Sequence, residues 1–457
     1  MTVDPKIFRK YDIRGVWGKD LTEDVVEAIG RAFAFYVKEH TKKDRLTLSI
    51  GRDVRLSSPT VSEALTRAFL SSGIDVIDIG ACPTPLQYFS LYHLPVDGGV
   101  MITGSHNPAE FNGLKLSVGK ETIFGERIQE IRKLIEAGST VSGRGTASTH
   151  PIIPDYMEYL LDKFGGEQAP FKGLKVVVDA GNGTGGLVAP ALIRKLGAEV
   201  IELYCEPDGR FPNHHPDPVV LENLKDLIDK VLSEGAHLGI GYDGDSDRIG
   251  VVDEDGDVVW GDRLMIIFSR EILAKSPGAT IIGEVKCSQT LYDDIKAHGG
   301  SPVMWKTGHS LLKKKLRETA GLLAGEMSGH IFFADRYFGY DDAIYASLRL
   351  LEILAEKGKP YSVKSLLRDV PHMVSTPEIR FDCADEVKFG IVEKVKKAFK
   401  DYPVIDIDGV RVNFPDGWGL IRASNTQPAL VMRFEAKDEA ALKRIRDFVE
   451  GELNKLL

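Results

Sequence analysis

Residues 241–257 read GYDGDSDRIGVVDEDGD. Asp243, Asp245 and Asp247 stand on alternate positions, Arg248 follows, and Glu254 falls twelfth counting from Asp243. That is nearly the spacing of an EF-hand calcium loop, which also needs a glycine at its sixth place and a helix on either side. Here the sixth place is Arg248, and the flanks LGIGYD and RIGVVDEDG have the character of strands joined by a hairpin turn. Three carboxylates this close together repel one another unless a hard cation lies among them. A short ligand set with room left for water or phosphate favours magnesium over calcium. The alternative is a solvated acidic loop that holds no ion.

Other polar loops offer complementary chemistry. In TGSHNP (103–108), Ser105 sits in a glycine-led turn whose backbone N–H groups could face an anion. A serine nucleophile elbow would need G-x-S-x-G, and His106, next in the chain, is poorly placed to act as its base. Beside a magnesium site, such a serine suggests a hydroxyl that carries a phosphoryl group; a capped turn is the alternative. RASNT (422–426) gathers Arg422, Ser424, Asn425 and Thr426, a guanidinium fork, two hydroxyls and an amide suited to a phosphate dianion, or simply a polar hairpin. GEMSGH (325–330) supplies Glu326, Ser328 and His330. Glu and Ser on one loop can bond vicinal sugar hydroxyls, with discrimination because a mismatch leaves buried polar groups unpaired. A lone histidine such as His330 is more often structural than catalytic. GNGTGG (181–186) fits the dinucleotide pattern and admits a nicotinamide-dependent oxidoreductase, with Glu202 as the ribose acid. Asp179 beside that loop and Pro190 early in the next helix count against it, and a tight glycine turn is the better account.

The elements that must position these loops follow one pattern. Short apolar runs alternate with helical stretches: LTLSI, IDVIDIG and GVMI; then LKVVVD, AEVIELY and HLGIGY; then ATIIGEV, SPVMW and GLLAG. Such alternation predicts largely parallel sheets with helices on their faces, and three sets in tandem predict three similar α/β units. The segment 409–436 predicts antiparallel strands joined by tight turns, followed by a helix over 440–457. The polar run 138–151 and the stretch Arg368–Ser375 predict linkers. The chemistry-bearing residues lie just past strand ends, where open α/β sheets bind ligands, so the four units are expected to share a cleft. At 457 residues the chain has the length for this.

Composition narrows the function. With 67 acidic against 58 basic residues, the net charge is −9, which argues against nucleic acid as the main partner. Cys82, Cys205, Cys287 and Cys383 form no C-x-x-C pair and predict reduced thiols. No stretch is long and apolar enough to span a bilayer and the first residues lack a signal-peptide core, so a cytoplasmic protein is expected.

TGSHNP, DGDSDR, GEMSGH and RASNT, in that order and spacing, with FRKYDIRG (8–15) and PDGRFPNHHPDP (207–218), resemble the α-D-phosphohexomutase superfamily. The match covers the whole chain and is closest to its phosphomannomutase/phosphoglucomutase branch. The resemblance implies three similar α/β domains with mixed, largely parallel sheets and a C-terminal α+β domain around a central cleft. Expected boundaries are 1–150, 151–253, 254–367 and 368–457. It implies that Ser105 is phosphorylated and is the phosphoryl donor and acceptor. Asp243, Asp245 and Asp247, with a phosphoserine oxygen, would hold Mg²⁺, and Arg248 would help neutralise the transferring group. Glu326 and Ser328 would bind sugar hydroxyls. Arg422, Ser424, Asn425 and Thr426 would hold the non-reacting phosphate. Lys115 and His330 are the candidates for proton transfer, and Tyr11, Arg14, His106, Lys286 and His309 would complete the site. The implied reaction interconverts hexose 1-phosphate and hexose 6-phosphate through a hexose 1,6-bisphosphate, which also serves as activator, with glucose and mannose both accepted and the last domain closing over the ligand. Phosphoglucosamine mutase is the close alternative; whether the protein is monomeric or a homo-oligomer is left open.

Overall fold

The structure, a computed structural model, describes residues 3–425 and 428–456. It divides into two compact units, Met1–Leu264 with Ser328–Leu366 and Met265–Met327 with Leu367–Leu457, so the chain leaves the first unit and returns to it.

The first unit holds two sheets. One runs in the order Ile13–Val16, Phe111–Val118, Gly98–Ile102, Thr47–Arg52, Asp75–Ala81, Ala147–Thr149. Its central strands Thr47–Arg52, Asp75–Ala81 and Gly98–Ile102 are parallel, and Phe111–Val118 returns antiparallel to Gly98–Ile102. Ala147–Thr149 corrects the expected linker: this part of the 138–151 run pairs in parallel with Asp75–Ala81 as an edge strand. Helix Glu23–Thr41 shows why its stretch folds as it does. Thr22 caps it by accepting from Val25 N, Glu23 and Asp24 lie at its positive end, and Val26, Ile29, Phe33, Tyr36 and Val37 bury one face.

The second sheet runs Val258–Val259, Ile249–Asp253, Leu238–Tyr242, Lys175–Asp179, Glu199–Leu203. Lys175–Asp179 pairs in parallel with both neighbours, while Leu238–Tyr242 and Ile249–Asp253 form an antiparallel hairpin. Helix Ala343–Lys357 completes this unit. Its cap, Asp342, accepts from Tyr345 N, from Tyr156 Oη and from Tyr337 Oη, each at 2.8 Å. Burial pushes this carboxyl up to about 6, against the pull of those hydrogen bonds. An acid whose pKa is higher in the folded chain contributes most stability below its unfolded value near 4 and loses that contribution as pH rises through 6. Asp342→Asn is therefore expected to flatten the decline in stability between about pH 4 and 6 by roughly 3 kcal/mol. Urea unfolding across that range reads the difference; parallel profiles for parent and variant would disprove it.

In the second unit, Thr280–Glu284 lies between Ser301–Trp305 and Leu323–Gly325, all parallel. The C-terminal sheet is antiparallel, with Ala429–Ala436, Gly417–Ala423, Val410–Phe414 and Val404–Ile405 as successive neighbours, and Val374–Ser375 and Ile379–Asp382 also pairing with Ala429–Ala436. Helices Asp385–Ala398 and Glu439–Asn454 pack on it through Val395, Ile445 and Val449. Buried Arg411 stacks 3.8 Å from the Trp418 ring centre and donates to Val285 O (2.8 Å) and Cys287 O (2.9 Å), so this sheet holds the loop after Thr280–Glu284. The mixed α/β class expected from the sequence, with an antiparallel C-terminal part, is what the chain adopts. Among the described residues, no helix is long and apolar enough to cross a membrane.

Candidate active site

Ser105 follows the strand Gly98–Ile102. Its N–H donates to Thr103 Oγ1 (2.8 Å), and the turn holds it at φ 52°, a left-handed conformation uncommon for a residue with a side chain. The loop is moulded around buried Arg55. That guanidinium donates to the carbonyls of Ser105 (2.8 Å), Asn107 (2.6 Å), Phe111 (3.0 Å) and Pro108, while Asp53 pairs with its Nε at 3.1 Å. Five donors in one rigid fork suit this work, and few other side chains could satisfy four carbonyls at once.

The acidic stretch is the turn of the hairpin between Tyr242 and Ile249, not an EF-hand. It curls about Asp243, whose Oδ1 accepts from Asp247 N (3.0 Å) and Arg248 N (3.1 Å). Glu254 takes no part: it accepts from Val363 N at 3.1 Å and from Ser362 Oγ. The glycine-rich turn 181–186 braces the loop. Thr184 N donates to Gly244 O (3.0 Å), and a Cβ at Gly183 would lie 2.7 Å from that oxygen. The turn that fits the dinucleotide pattern is thus packed against protein backbone.

The serine and acidic loops meet closely. A Cβ at Gly244 would lie 2.5 Å from Ser105 O, and Ser105 Oγ donates to Asp243 Oδ2 at 3.2 Å. The other side of Ser105 Oγ is 3.0 Å from His106 Nδ1. Lys115 Nζ bridges Asp245 Oδ2 (2.7 Å) and Asp247 Oδ2 (2.6 Å), and Thr84 Oγ1 donates to Asp245. All three aspartates and Lys115 are buried.

These residues fit a divalent cation. One ligand atom from each aspartate lies within 4.8 Å of the others, and Asp245 Oδ1 and Asp247 Oδ1 are buried with no hydrogen-bond partner. Buried carboxylate oxygens that accept no hydrogen bond are costly, and an all-oxygen donor set suits a hard ion. The charges agree: burial, then Asp245 and Asp247, raise the Asp243 pKa well above its usual value. Burial opposes ionisation of Asp245 too, but Lys115 and Thr84 hold its pKa below the carboxylate range. Burial likewise opposes the charge on Lys115, and the two aspartates overcome it, so its pKa lies well above the ordinary lysine value. Asp247, His330 and Asp341 also have ligand atoms within 4.8 Å of one another, adjoining this cluster.

Arg248 Nε donates to His330 Nε2 (2.9 Å). A guanidinium can only donate, so Nε2 is an acceptor and the ring proton belongs on Nδ1, 3.1 Å from both Asp247 O and Asp341 Oδ2. Arg14 donates to Asn107 Oδ1 (2.9 Å) and pairs with Asp12. The His106 pKa is pushed well below its ordinary value, first by burial and then by the positive charges of Arg248 and Arg14. Tyr11 and Ser328 are also buried in this unit.

The second unit gathers another group. Lys286 Nζ pairs with Glu378 Oε2 (3.1 Å), and that partnership holds the Glu378 carboxyl at about 2. Glu326 Oε1 accepts from Gly308 N (2.8 Å), directly before His309. Arg422 Nη2 pairs with Asp408 Oδ2 (3.0 Å), which also accepts from Thr307 N (3.0 Å). Ser424 N donates to Ala429 O (2.9 Å), shaping the RASNT turn with Asn425 beside it. Thr426 lies outside the described residues. The sequence reading thus finds its residues in two sets. Tyr11, Arg14, Ser105, His106, Lys115, the three aspartates, Arg248, Ser328 and His330 fall in the first unit. Lys286, His309, Glu326, Arg422, Ser424 and Asn425 fall in the second. It missed Arg55, Thr84, Asp341, Glu284 and Asp408; only GRDVR, with its charges directly after an apolar strand, carried a signal.

Comparison with known proteins agrees with this geometry. Family models for the phosphoglucomutase/phosphomannomutase α/β/α domains I, II and III match residues 5–142, 154–256 and 260–372, and the model for the C-terminal domain matches 378–452. A phosphomannomutase/phosphoglucomutase of Pseudomonas aeruginosa is 46% identical over 454 residues, 99% of this chain and 96% of its own. A phosphoglucomutase of Neisseria meningitidis is 43% identical over 447 residues, 96% of this chain and 95% of its own. The crystal structure of a phosphoglucomutase/phosphomannomutase family protein from Burkholderia thailandensis superimposes with a TM-score of 0.92 at 42% identity, covering 100% of this chain and 98% of that one. Four domain models in unbroken order and relatives matched almost end to end give one reading of the whole sequence: it belongs to the phosphoglucomutase/phosphomannomutase family and is an intramolecular phosphotransferase acting on hexose phosphates.

Proposed function

We propose that the protein interconverts the 1- and 6-phosphates of both mannose and glucose, with Ser105 as the phosphoryl carrier and Mg²⁺ as its metal. The observation that carries this reading is the contact of Ser105 Oγ with Asp243, in a buried carboxylate cluster whose donor set calls for a hard cation. Phosphoserine 105 gives its phosphoryl group to the free hydroxyl of a hexose 1-phosphate: the P–Oγ bond breaks, a P–O bond to the sugar forms, and a 1,6-bisphosphate results. The bisphosphate turns round, its other phosphoryl group returns to Ser105 Oγ, and hexose 6-phosphate leaves. Magnesium, when bound by the three aspartates and a phosphoserine oxygen, offsets negative charge on the transferring group.

The protein's own groups do the rest. Arg248 offers its N–H groups to the equatorial phosphoryl oxygens, and Lys115, whose ion pairs with Asp245 and Asp247 favour its ammonium form, acts as a charge-stabilising donor. His330 Nε2 is the lone pair available to take the proton of the attacking hydroxyl as Arg248 turns to the phosphoryl group. Tyr11, Arg14 and His106 line this reacting end. Glu326 and Ser328 bind sugar hydroxyls, Lys286 and His309 flank them, and Arg422, Ser424, Asn425 and Thr426 hold the phosphate that does not react. Contacts restricted to the 3- and 4-hydroxyls would ignore the 2-position, the one at which mannose and glucose differ.

Phosphorus NMR tests this directly, with Mg²⁺, a trace of glucose 1,6-bisphosphate as activator, and separate samples of mannose 1-phosphate, glucose 1-phosphate and glucosamine 1-phosphate. Conversion of the first two to 6-phosphates is expected. Conversion of glucosamine 1-phosphate alone would replace the reading with a phosphoglucosamine mutase. Release of inorganic phosphate without isomer would contradict retention of the bisphosphate.

A further inference from the structure

Glu284 takes no part in the chemistry above, yet it is fully buried at the end of the strand Thr280–Glu284, between two parallel neighbours. Loops that follow neighbouring parallel strands leave from one edge, so a side chain ending the middle strand can reach three of them. Glu284 does so. Its Oε2 accepts from Lys286 N (2.8 Å), in its own loop, and from Thr307 Oγ1 (2.7 Å), in the loop after Ser301–Trp305. Its Oε1 accepts from Met327 N (3.4 Å), in the loop after Leu323–Gly325. These loops carry Lys286, His309 and Glu326. Glu326 adds a further link by accepting from Gly308 N. Burial, with the nearby Glu326 charge, holds the Glu284 pKa above its ordinary value against the pull of Lys286, while three donors converging on its two oxygens favour the carboxylate.

We propose that Glu284 is the positioning residue of sugar recognition: its carboxylate fixes the spacing of the Lys286, His309 and Glu326 loops and so sets discrimination at the sugar 4-hydroxyl. The proposal rests on the reading of Glu326 as a sugar-hydroxyl ligand. Discrimination of that kind works by leaving a buried polar group unpaired when a hydroxyl points the wrong way, which requires the group to be held within a fraction of an ångström. Glutamine at this position would offer one acceptor oxygen where two are used, and aspartate would fall short of at least one loop.

The test compares Glu284→Gln and Glu284→Asp with Glu326→Gln in steady-state kinetics. Substrates are glucose 1-phosphate and its 4-epimer galactose 1-phosphate, and Mn²⁺ titration reports separately on the acidic loop. Both Glu284 variants are expected to raise KM for glucose 1-phosphate about tenfold and to erode the preference for glucose by a similar factor. Their kcat should stay within about threefold of the parent and their Mn²⁺ affinity should be unchanged. If Glu326→Gln erodes the preference while both Glu284 variants retain it, the proposal is overturned and the reading of Glu326 stands. If Glu326→Gln changes neither KM nor preference, that reading fails and the proposal with it. Glu284 variants that lose thermal stability but keep the parent KM and preference would assign the residue to packing alone and overturn the proposal. Aspartate, which keeps the charge, provides a folded variant if glutamine does not.

Discussion

Ser105→Ala is expected to reduce mutase turnover by roughly 10⁴- to 10⁶-fold, the scale of losing an enzyme's nucleophile. The lost oxygen is the one proposed to accept and return the phosphoryl group, and among the other hydroxyls near the acidic loop, that of Thr84 already donates to Asp245 while those of Thr184 and Ser246 bond each other. The backbone at 105 adopts a positive φ with serine in place, so alanine adds no new conformational cost. The loop should stay formed because Arg55 holds it through main-chain carbonyls, which the substitution leaves intact. A coupled assay for hexose 6-phosphate reads the loss, and intact-mass analysis after incubation with glucose 1,6-bisphosphate should find no phosphorylated variant. Activity above about 1% of the parent would place the phosphoryl carrier elsewhere.

Lys115→Met should act on stability and on rate together. The ammonium lies between Asp245 and Asp247, and taking one partner out of a buried ion pair costs about 3–5 kcal/mol because the remaining charge is left uncompensated. In metal-free buffer the variant is expected to unfold at correspondingly lower denaturant concentration. Millimolar Mg²⁺ should recover much of the loss, since a ligand that binds the folded chain alone stabilises it by mass action. Turnover should remain depressed by roughly 10²- to 10³-fold even at saturating Mg²⁺, because the lost group is also proposed to face charge developing in the transition state. Denaturant curves with and without Mg²⁺ separate the two effects. Equal stability of parent and variant without metal would mean that the aspartates do not depend on Lys115 for charge balance.

The sequence revealed most where chemistry and secondary structure coincide. The parallel strands were legible because VVVD, GIGY and TIIGE are short apolar runs flanked by helical patterns, and the loops that end them carry the reactive side chains. The hairpin around Asp243 was legible for the same reason. Arg55 was not, because an arginine in a polar loop reads as solvated. Its burial makes sense only with carbonyls about 50 residues further on. Glu284 and Asp341 are hidden likewise: a carboxylate is informative when its partners are known, and Thr307 and Met327 for Glu284 and His330 for Asp341 lie in loops beyond its own. The edge strand Ala147–Thr149 has no apolar periodicity, all of its residues are exposed, and it exists because Asp75–Ala81 offers an unpaired edge. The spacing of Asp243, Asp245 and Asp247 suggested a cation site, but only their geometry shows Lys115 already sharing two of them.

The first unit's interrupted chain has a consequence in time. Ser105, Lys115 and the acidic loop emerge from the ribosome well before His330, which contacts Asp247 across 83 residues of sequence. At about 5–20 residues per second, roughly 4 to 17 seconds of synthesis separate the two, and the whole intervening segment 265–327 is spent on the second unit. A nascent chain therefore spends some seconds without the histidine that the proposed transfer uses. Chains cut short in that interval would lack the proposed proton acceptor, so an abandoned fragment is not expected to turn over hexose phosphates.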